Sequence, residues 1–260
     1  MIEENKREKA RVLFAGRGDK MVESALSGMM GRVFTKVEEE TRCAAVLMGD
    51  FLFVSGTGDP AFLQELCSSL DHDFLILKAT LGEWEGAVKT VLPEAREHIR
   101  YRMCTGRFDR SVLKSFAEQL PPGYALKPME AGWYERLMGE DWSRDFCSLF
   151  RDGADFAHRG LGVLAVQDGV PVAGASSYAV YPKGIEVELD TKPAYRRKGL
   201  ARAAAAGLIL RCLDRGWEPH WDADNSVSAH IAEQLGYLPA GAYRVWKWSR
   251  DQSRFEQKNG

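Results

Sequence analysis

Two glutamates, Glu186 and Glu188, stand two residues apart in a segment where polar and apolar side chains alternate. A β-strand directs alternate side chains to opposite faces of its sheet, so we expect the two carboxylates on one face and Val187 and Leu189 on the other. Neighbouring carboxylates raise each other's proton affinity and attract cations. The pair could therefore hold a protonated group and take up its proton, with Glu188 slightly favoured because it is nearer the following loop. The alternative is a polar strand face whose acids only meet solvent.

A basic loop follows this strand and leads into an alanine-rich helix. Arg196, Arg197 and Lys198 come directly before Gly199, and a helix is expected over residues 200–214. The first N–H groups of a helix have no partner within it and point outward, so together with three cations they form a site for a diphosphate. Small residues near the start of the helix let it lie close to the sheet. This context favours nucleotide binding over a solvated turn.

A second polar segment, residues 221–228, reads Trp-Asp-Ala-Asp-Asn-Ser-Val-Ser and leads into a helix that ends before Gly236. Asn225 stands at the start of that helix, where it is either a helix cap or a contact to a bound ligand. Ser228 shares the same helix end, and the same two alternatives apply to it.

A short strand is expected just before this helix, at residues 219–223. His220 and Asp222 alternate along it and therefore share one face. They could line a site, although the sequence alone favours a structural role for each.

The spacing Arg196-x-x-Gly199-x-Ala201, between a strand and a helix, resembles the acetyl-CoA diphosphate loop of the GCN5-related N-acetyltransferases, the GNAT superfamily. Residues 221–237 resemble the segment of that family in which a strand leads to a cofactor-contacting Asn and then to a helix ending in Leu-Gly-aromatic. Both segments occur in the order found in the family. The resemblance covers roughly residues 125–250, about half of the chain.

The resemblance implies an enzyme that transfers an acetyl group from acetyl-CoA to a primary amine of a small molecule, by direct attack on the thioester. Acetyl-CoA would be the co-substrate, no metal is implied, and Glu186 or Glu188 would assist deprotonation of the amine. The alternative is a non-catalytic acyl-CoA-binding regulatory module. The resemblance implies these cofactor-binding residues: Leu189, Thr191, Arg196, Arg197, Lys198, Gly199, Leu200, Ala201, Arg202, Asn225 and Ser228.

One position departs from the family pattern. Many members carry a tyrosine four residues before the glycine that ends the last helix, where it protonates the leaving thiolate, and here that position is Ala232. His230, Tyr237 and Tyr243 are weak substitutes on sequence alone. A CoA thiolate is a fairly good leaving group, so transfer is still expected without a dedicated acid.

The pattern E-x-E-x-D-T before the loop and W-D-A-x-N-x-x-S after it is most similar to one bacterial subgroup of the family. That subgroup includes self-resistance acetyltransferases that act on aminopolyol antibiotics. The sequence does not identify the amine. It also leaves the oligomeric state open, with a homodimer among the alternatives.

The expected fold class is α+β, with two domains separated at Pro121-Pro122-Gly123. Residues 123–260 are expected to form a GNAT domain, a mixed and mainly antiparallel sheet flanked by helices, with three antiparallel strands between residues 161 and 191. Helices are also expected at residues 131–138 and 143–150. Residues 1–122 are expected to form a smaller mixed α/β domain of unknown role, with a degenerate GNAT-like lobe as one alternative.

The first of these domains carries strong local patterns. Apolar runs at residues 44–48 and 51–54 flank Gly49-Asp50 and predict a β-hairpin. A helix with Pro60 in its first turn and a buried strand at residues 74–77 are expected next. No spacing typical of catalysis occurs there.

Composition limits the possible partners. A net charge of -2 on 260 residues gives no general attraction to nucleic acid or to an anionic membrane, so an anion site must be built locally. The first nine residues are charged throughout and lack the apolar stretch of a secretory signal, and no run approaches the ~20 apolar residues that span a bilayer. Five scattered cysteines without a C-x-x-C pair suit reduced thiols. These features predict a cytoplasmic protein.

Overall fold

The structure is a computed structural model in which the described residues are 2–4, 6–36, 42–79 and 82–252. The two predicted domains include Met1 and residues 253–260, which lie outside the described residues. The α-helices of the described part are α1 (Arg7–Phe14), α2 (Lys20–Ser27), α3 (Pro60–Ser69), α4 (Glu85–Val91), α5 (Arg110–Glu118), α6 (Tyr134–Met138), α7 (Gly153–Arg159), α8 (Leu200–Asp214) and α9 (Ser226–Leu235). None of these described helices is both long enough and apolar enough to cross a bilayer.

The strands of the same residues are β1 (Ile2–Glu4), β2 (Arg32–Lys36), β3 (Cys43–Met48), β4 (Phe51–Gly56), β5 (Phe74–Ala79), β6 (Arg96–Cys104), β7 (Tyr124–Pro128), β8 (Gly162–Gln167), β9 (Val170–Tyr181), β10 (Gly184–Thr191), β11 (Glu218–His220), β12 (Asp222–Ala223) and β13 (Leu238–Ser249). Short 3-10 turns lie at Ala131–Trp133, Arg144–Phe146 and Pro193–Tyr195.

Packing divides the chain into two compact units. One consists of residues 1–100 and 243–260, and the other of residues 101–242. This division does not coincide with the boundary expected between residues 122 and 123. The assignment of domains to residues 1–122 and 123–260 therefore stays a prediction.

Buried side chains explain where the compact units divide. Leu113 of α5 lies in the same buried cluster as Leu208 of α8, so the segment before the Pro-Pro-Gly turn packs with the second unit. Trp246 of β13 pairs with Leu77 of β5 and is buried in the core of the first unit. The last strand therefore returns to the first unit, a long-range pairing that local sequence patterns do not reveal.

The first unit contains strands in the order β1-β2-β3-β4-β5-β13, with antiparallel neighbours except for the parallel pair β4 and β5. The hairpin predicted around Gly49-Asp50 is present as β3 and β4. Helix α3, which connects these two parallel strands along the chain, buries Phe62 and Leu66 in the core. The carboxylate of Asp59 caps α3 by accepting the Phe62 N–H at 2.9 Å, and it pairs with Lys36 Nζ at 2.6 Å.

The second unit contains a five-stranded sheet in the order β11-β10-β9-β8-β7. Neighbouring strands in this sheet are antiparallel except for β10 and β11, which are parallel. The three antiparallel strands predicted between residues 161 and 191 are present as β8, β9 and β10. On one face of the sheet α8 buries Ala203 to Ala206. A Cβ added to Gly207 would lie only 3.3 Å from a methyl group of Val163. Small side chains therefore allow the close approach of helix and sheet.

The single short strand expected at residues 219–223 is two strands in the structure. β11 pairs with β10, whereas β12 pairs with β6, and Trp221 lies between them. The indole is buried against Tyr237, with ring centroids 5.3 Å apart, and its Nε1 donates to Ser228 Oγ at 3.1 Å. The buried Trp221 therefore lies where the chain stops pairing with β10 and begins to pair with β6.

The helix expected at residues 143–150 is also different, because only the 3-10 turn at residues 144–146 forms. The Ser143 hydroxyl donates to the backbone carbonyl of Leu137 at 2.9 Å and closes a compact turn instead of starting a longer helix. The expected helix at residues 131–138 is present as a 3-10 turn followed by α6. Strand β7 was not expected from the sequence.

Candidate active site

Strands β10 and β11 lie side by side for three residues and then part. Their pairing runs from Gly184 to Glu186 on β10, and its last register pair is Glu186 with His220. Among the described strands, only β9 accompanies the rest of β10, Val187–Thr191. The register with β9 shifts between Glu186 and Val187, and such a bulge increases the local twist. We call the place where the two strands part, marked by Glu186 and His220, the strand fork.

Glu186 and His220 are hydrogen-bonded at the strand fork. His220 Nδ1 lies 2.7 Å from Glu186 Oε2, and the imidazole side chain is 16% exposed whereas the carboxylate side chain is 4% exposed. Burial acts to lower the pKa of His220, but the charge and hydrogen bond of Glu186, with the charges of Asp222 and Glu218, raise the pKa above its ordinary value. The imidazole therefore holds a proton more tightly than a free histidine does.

Glu188 lies on the same face of β10 as Glu186. The intervening Val187, and Leu189 beyond, pack on the opposite side against the core that contains α8. Glu188 is in register with Ser176 of β9, whose hydroxyl donates to the Phe146 carbonyl at 2.8 Å. The 3-10 turn that contains Phe146 therefore lies against the carboxylate-bearing face of the sheet.

The basic loop makes a tight turn before α8. Arg197 has φ +62° and Gly199 has φ +78°, so two of its residues adopt the left-handed region. Gly199 is the N-cap residue of α8 and provides no side-chain cap, so the first N–H groups of this 15-residue helix are not satisfied by a capping side chain. Glycine suits this position because L side chains disfavour a positive φ.

Three cations of the loop region are oriented by neighbouring groups. Arg196 Nε donates to the Thr191 carbonyl at 3.3 Å, which ties the loop to the end of β10. Lys198 lies 5.0 Å from the centre of the Tyr195 ring. Arg202 donates to Gln234 of α9 at 2.9 Å. These contacts concentrate positive charge around the start of α8.

Asn225 and Ser228 have defined structural contacts at the start of α9. Asn225 Oδ1 accepts the backbone N–H of Ser228 at 2.9 Å, the geometry of a helix N-cap. The Ser228 hydroxyl accepts the Trp221 indole N–H. Capping therefore accounts for Asn225 by itself, and a cofactor contact by either residue stays a prediction.

Ala232 and the three candidate substitutes for the family tyrosine have the following surroundings. Ala232 is fully buried on α9. Tyr237 is buried too, its hydroxyl donates to the Pro219 carbonyl at 2.7 Å, and burial raises its pKa well above the ordinary value. His230 is exposed and lies 2.9 Å from the side-chain amide nitrogen of Gln234. Tyr243 belongs to the first compact unit.

His220 is the residue of the strand fork that the sequence placed on the same face as Asp222. Sequence alone favours a structural role for it, whereas the structure brings its ring to Glu186, which lies in a strand 34 residues earlier in the chain. The only sequence signal for His220 was its alternation with Asp222, which predicted a shared strand face. In the structure Asp222 lies on a different strand, β12, in register with Arg102. Across the described ranges, no group of three or more His, Cys, Asp or Glu side chains is placed to hold a metal ion.

Comparison with known proteins supports the family resemblance of the sequence. The sequence profile of the GNAT acetyltransferase family matches residues 11–246. A Bacillus subtilis protein named uncharacterized N-acetyltransferase YdfB is 25% identical over 165 residues, which are 63% of this chain and 62% of that protein. The chain thus spans less than two thirds of the length of this curated relative.

Solved structures show the same architecture. A GCN5-related N-acetyltransferase-like protein from Streptococcus suis is 35% identical, with a TM-score of 0.87 over 93% of this chain and 97% of that one. A tandem GNAT protein from the clavulanic acid biosynthesis pathway, solved without acetyl-CoA, is 13% identical, with a TM-score of 0.56 over 97% of this chain and 100% of that one; it is similar in fold alone. The mixed sheets flanked by helices, the basic loop before α8 and the profile match over most of the sequence lead to one conclusion: the chain belongs to the GNAT acetyltransferase family.

Proposed function

We propose that the protein transfers the acetyl group of acetyl-CoA to a primary amine of a small molecule. The observation that carries this proposal is the strand fork. The Glu186 and His220 pair stands at one end of a β10 edge that no described strand accompanies, and the basic loop follows the other end. An acyl donor held along that edge would present its thioester to the charged pair.

The cofactor would bind along three consecutive parts of the second unit. Arg196, Arg197, Lys198 and Arg202, with the backbone of Gly199, Leu200 and Ala201, would hold the diphosphate by charge and by the N–H groups of α8. The pantetheine arm would then follow β10 past Thr191 and Leu189, pairing with its edge as an added strand does. Thr191 lies five residues after Glu186, about 16 Å along the strand at ~3.3 Å per residue. An extended pantetheine arm spans a comparable distance, and Asn225 and Ser228 are further candidate contacts.

The acceptor would reach the thioester from the carboxylate-bearing face. A primary alkylamine with a pKa of about 10.4 is protonated at neutral pH, so Glu186 and Glu188 would attract it and assist the loss of its proton. The neutral nitrogen then attacks the thioester carbonyl carbon. A C–N bond forms, the C–S bond breaks, CoA leaves as the thiolate, and the second proton of the nitrogen passes to that thiolate.

Direct transfer is supported over an acyl-enzyme route. Burial raises the pKa of Cys147 and of Cys212 to about 12, so neither thiol is a ready nucleophile at neutral pH. The hydroxyl of Ser176, the buried residue beside Glu188, donates to a backbone carbonyl and has no basic partner among its hydrogen bonds in the described chain.

The acceptor is proposed as a small cationic amine, because the candidate face carries two carboxylates. The motif pair around the loop extends this proposal to an aminopolyol, the class acted on by the similar bacterial subgroup. A cytoplasmic location stays a prediction, and a homodimer is one of the open oligomeric states.

A non-catalytic acyl-CoA-binding module is the second candidate. The observation that favours it is Ala232, which stands where many family members carry the tyrosine that protonates the thiolate, while Tyr237 donates its hydroxyl to a backbone carbonyl. Such a module would bind CoA and release no thiol in the presence of amines.

The first unit is proposed as a degenerate GNAT-like lobe. Its strands β2, β3 and β4 form an antiparallel series, after which α3 leads to the parallel strand β5. Strands β8, β9 and β10, followed by α8 and the parallel strand β11, repeat this order in the second unit. The resemblance between the two orders of elements is what supports a shared origin.

Two measurements test the proposed activity. Calorimetric titration of the protein with CoA measures binding, and a thiol-specific dye follows CoA release from acetyl-CoA across a panel of polyamines, amino sugars, aminopolyols and simple alkylamines. We expect release that depends on one class of amine, with a product heavier than the amine by one acetyl group. CoA binding without release from any amine would favour the non-catalytic module, and absence of CoA binding would overturn both candidates.

A further inference from the structure

The hydrogen bond at the strand fork has a defined direction. Glu186 Oε2 faces His220 Nδ1, so the remaining ring nitrogen, Nε2, is the one left to meet another group. A carboxylate acceptor at Nδ1 requires the proton to be on that nitrogen. In the neutral imidazole, Nε2 then carries the lone pair and can accept a proton.

Accessibility separates the two partners. The carboxylate is 4% exposed and the imidazole 16%, so His220 is the outer member of the pair and Glu186 the inner one. His220 is also the last residue of β11, next to the β10 edge that extends beyond the strand fork. A substrate arriving at this edge would meet the imidazole more readily than the carboxylate behind it.

We propose that His220 is the base for the acceptor amine and that Glu186 is the positioning residue that holds the imidazole in the required tautomer. The inference rests on the proposed acetyl transfer. In this step Nε2 accepts one proton from the ammonium group, whose freed electron pair forms the new C–N bond as the C–S bond to CoA breaks, and the second proton of that nitrogen passes to the departing thiolate. The imidazolium so formed is stabilised by the Glu186 carboxylate, and its proton returns to solvent before the next cycle.

The surroundings of His220 favour this role. The charged groups that act on it are Glu186 of β10, Glu218 of its own strand and Asp222 of β12, and all three raise the pKa of His220. Glu218 is itself held by the hydroxyls of Tyr181 and Thr105. From the end of α9, Tyr237 faces the same strand with its hydroxyl on the Pro219 carbonyl. A base whose pKa lies above that of ordinary histidine is better matched to a proton from an ammonium group.

Two variants separate the base from its partner. His220→Asn keeps a side-chain donor that can reach toward Glu186 but removes the basic nitrogen, and Glu186→Gln keeps an acceptor but removes the charge. With an amine accepted by the wild type, we expect His220→Asn to lower kcat about 10²-fold or more while CoA affinity is unchanged. Because the carboxylate raises the pKa of His220, Glu186→Gln should move the rising limb of the kcat/KM profile to lower pH and keep part of the activity.

The opposite pattern would overturn the assignment. If His220→Asn retains kcat within tenfold while Glu186→Gln abolishes turnover, the carboxylate is the base and His220 only its neighbour. If the wild type releases no thiol with any amine although CoA binds, the proposed activity itself fails and the base role fails with it.

The pairing also has a readout that needs no substrate. The ring carbon shifts of the five histidines can be followed by NMR against pH, with His220 assigned from the His220→Asn spectrum. His220 should titrate above the ordinary value of about 6.5 in the wild type and at lower pH in Glu186→Gln. An identical titration in the two proteins would refute the coupling that the proposal requires. Circular dichroism and thermal unfolding confirm that each variant is folded.

Discussion

Lys198 Nζ donates to the hydroxyl of Tyr124 at 3.0 Å and lies 5.6 Å from the centre of the same ring. Tyr124 is the first residue of β7, the edge strand of the five-stranded sheet, and its ring also packs edge-on against Tyr195. The cation of the basic loop is thus held by two aromatic side chains of the same unit. Its position is set before any anion arrives, which lowers the ordering cost of binding.

Lys198→Ala should therefore weaken CoA binding about tenfold, because one charge-assisted contact to the diphosphate is worth roughly 1.5 kcal/mol at an exposed loop. The loss should shrink as salt concentration rises, since exposed charges are screened. Calorimetric titration at two salt concentrations measures both effects. Lys127→Ala on exposed β7 removes the same charge and is the control; an equal loss of affinity there would show that only net charge matters.

Gly199→Val should abolish measurable CoA binding while the protein stays folded. A Cβ added at Gly199 would meet nothing within 4 Å, so the expected cost is that of the positive φ, about 1 to 2 kcal/mol, which the loop can relieve only by changing its path. Gly169→Val is a matched control, because Gly169 also has a positive φ (+75°) with nothing within 4 Å and lies in the β8–β9 turn. If the two variants bind CoA equally well, the loop is not the diphosphate site.

Glu188→Gln should raise KM for a cationic amine more than it lowers kcat. Glu188 shares a face with Glu186 but lies beyond the strand fork, so its expected contribution is attraction of the protonated acceptor. Steady-state kinetics with an accepted amine measures the two parameters separately. Glu233→Gln, on the exposed side of α9, removes the same charge as a control. If turnover instead falls by about two orders of magnitude while KM stays constant, Glu188 is the base.

Asp155→Asn should lower the free energy of unfolding by about 3 kcal/mol. The buried Asp155 carboxylate accepts from Arg159 at 2.6 and 2.8 Å and from the Arg151 backbone N–H at 3.1 Å. The hydrogen bond from Arg159 lowers the pKa of Asp155 most, and the bonds from Arg151 lower it further. Together they outweigh burial, which acts to raise the pKa, and hold it well below its usual range. Urea unfolding monitors the loss. Asp152→Asn, which keeps an effective N-cap on α7, is expected to be nearly neutral.

The same aspartate gives a pH dependence with a definite sign. Its pKa is lower in the folded protein than in the unfolded chain, so its contribution is fully present above the unfolded value of about 3.9. Stability from this group should be lost as pH falls from there towards the lower folded value. The unfolding midpoints of the wild type and Asp155→Asn should differ at neutral pH and approach each other at acid pH. A constant difference between them would contradict the assignment.

The sequence could predict the local features of the site. The alternation that placed Glu186 and Glu188 on one face, and the strand, loop and helix around Gly199, follow from backbone geometry over short spans. His220 could not be assigned in the same way, because its meeting with Glu186 depends on the register of parallel strands joined through α8. Register is set by packing of the intervening helix and of Trp221, which no local pattern encodes.

Long-range pairing also limited the prediction of the fold. The hairpin around Gly49-Asp50 and the helix that begins at Pro60 depend on residues close together in the sequence, and both form as expected. The return of Trp246 to the core of the first unit joins positions about 170 residues apart along the chain. Its apolar character predicts burial but not the strand beside which it is buried.

The carboxylate of Asp59 gives the first unit a different relation to nucleotides. In the proposed degenerate lobe α3 is the counterpart of α8, and at its start the Asp59 carboxylate, paired with Lys36, already accepts the Phe62 N–H. A diphosphate would have to displace a covalently attached competitor of its own sign. On this proposal only the start of α8, which has no side-chain cap, binds a diphosphate, and the protein should saturate with a single CoA per chain.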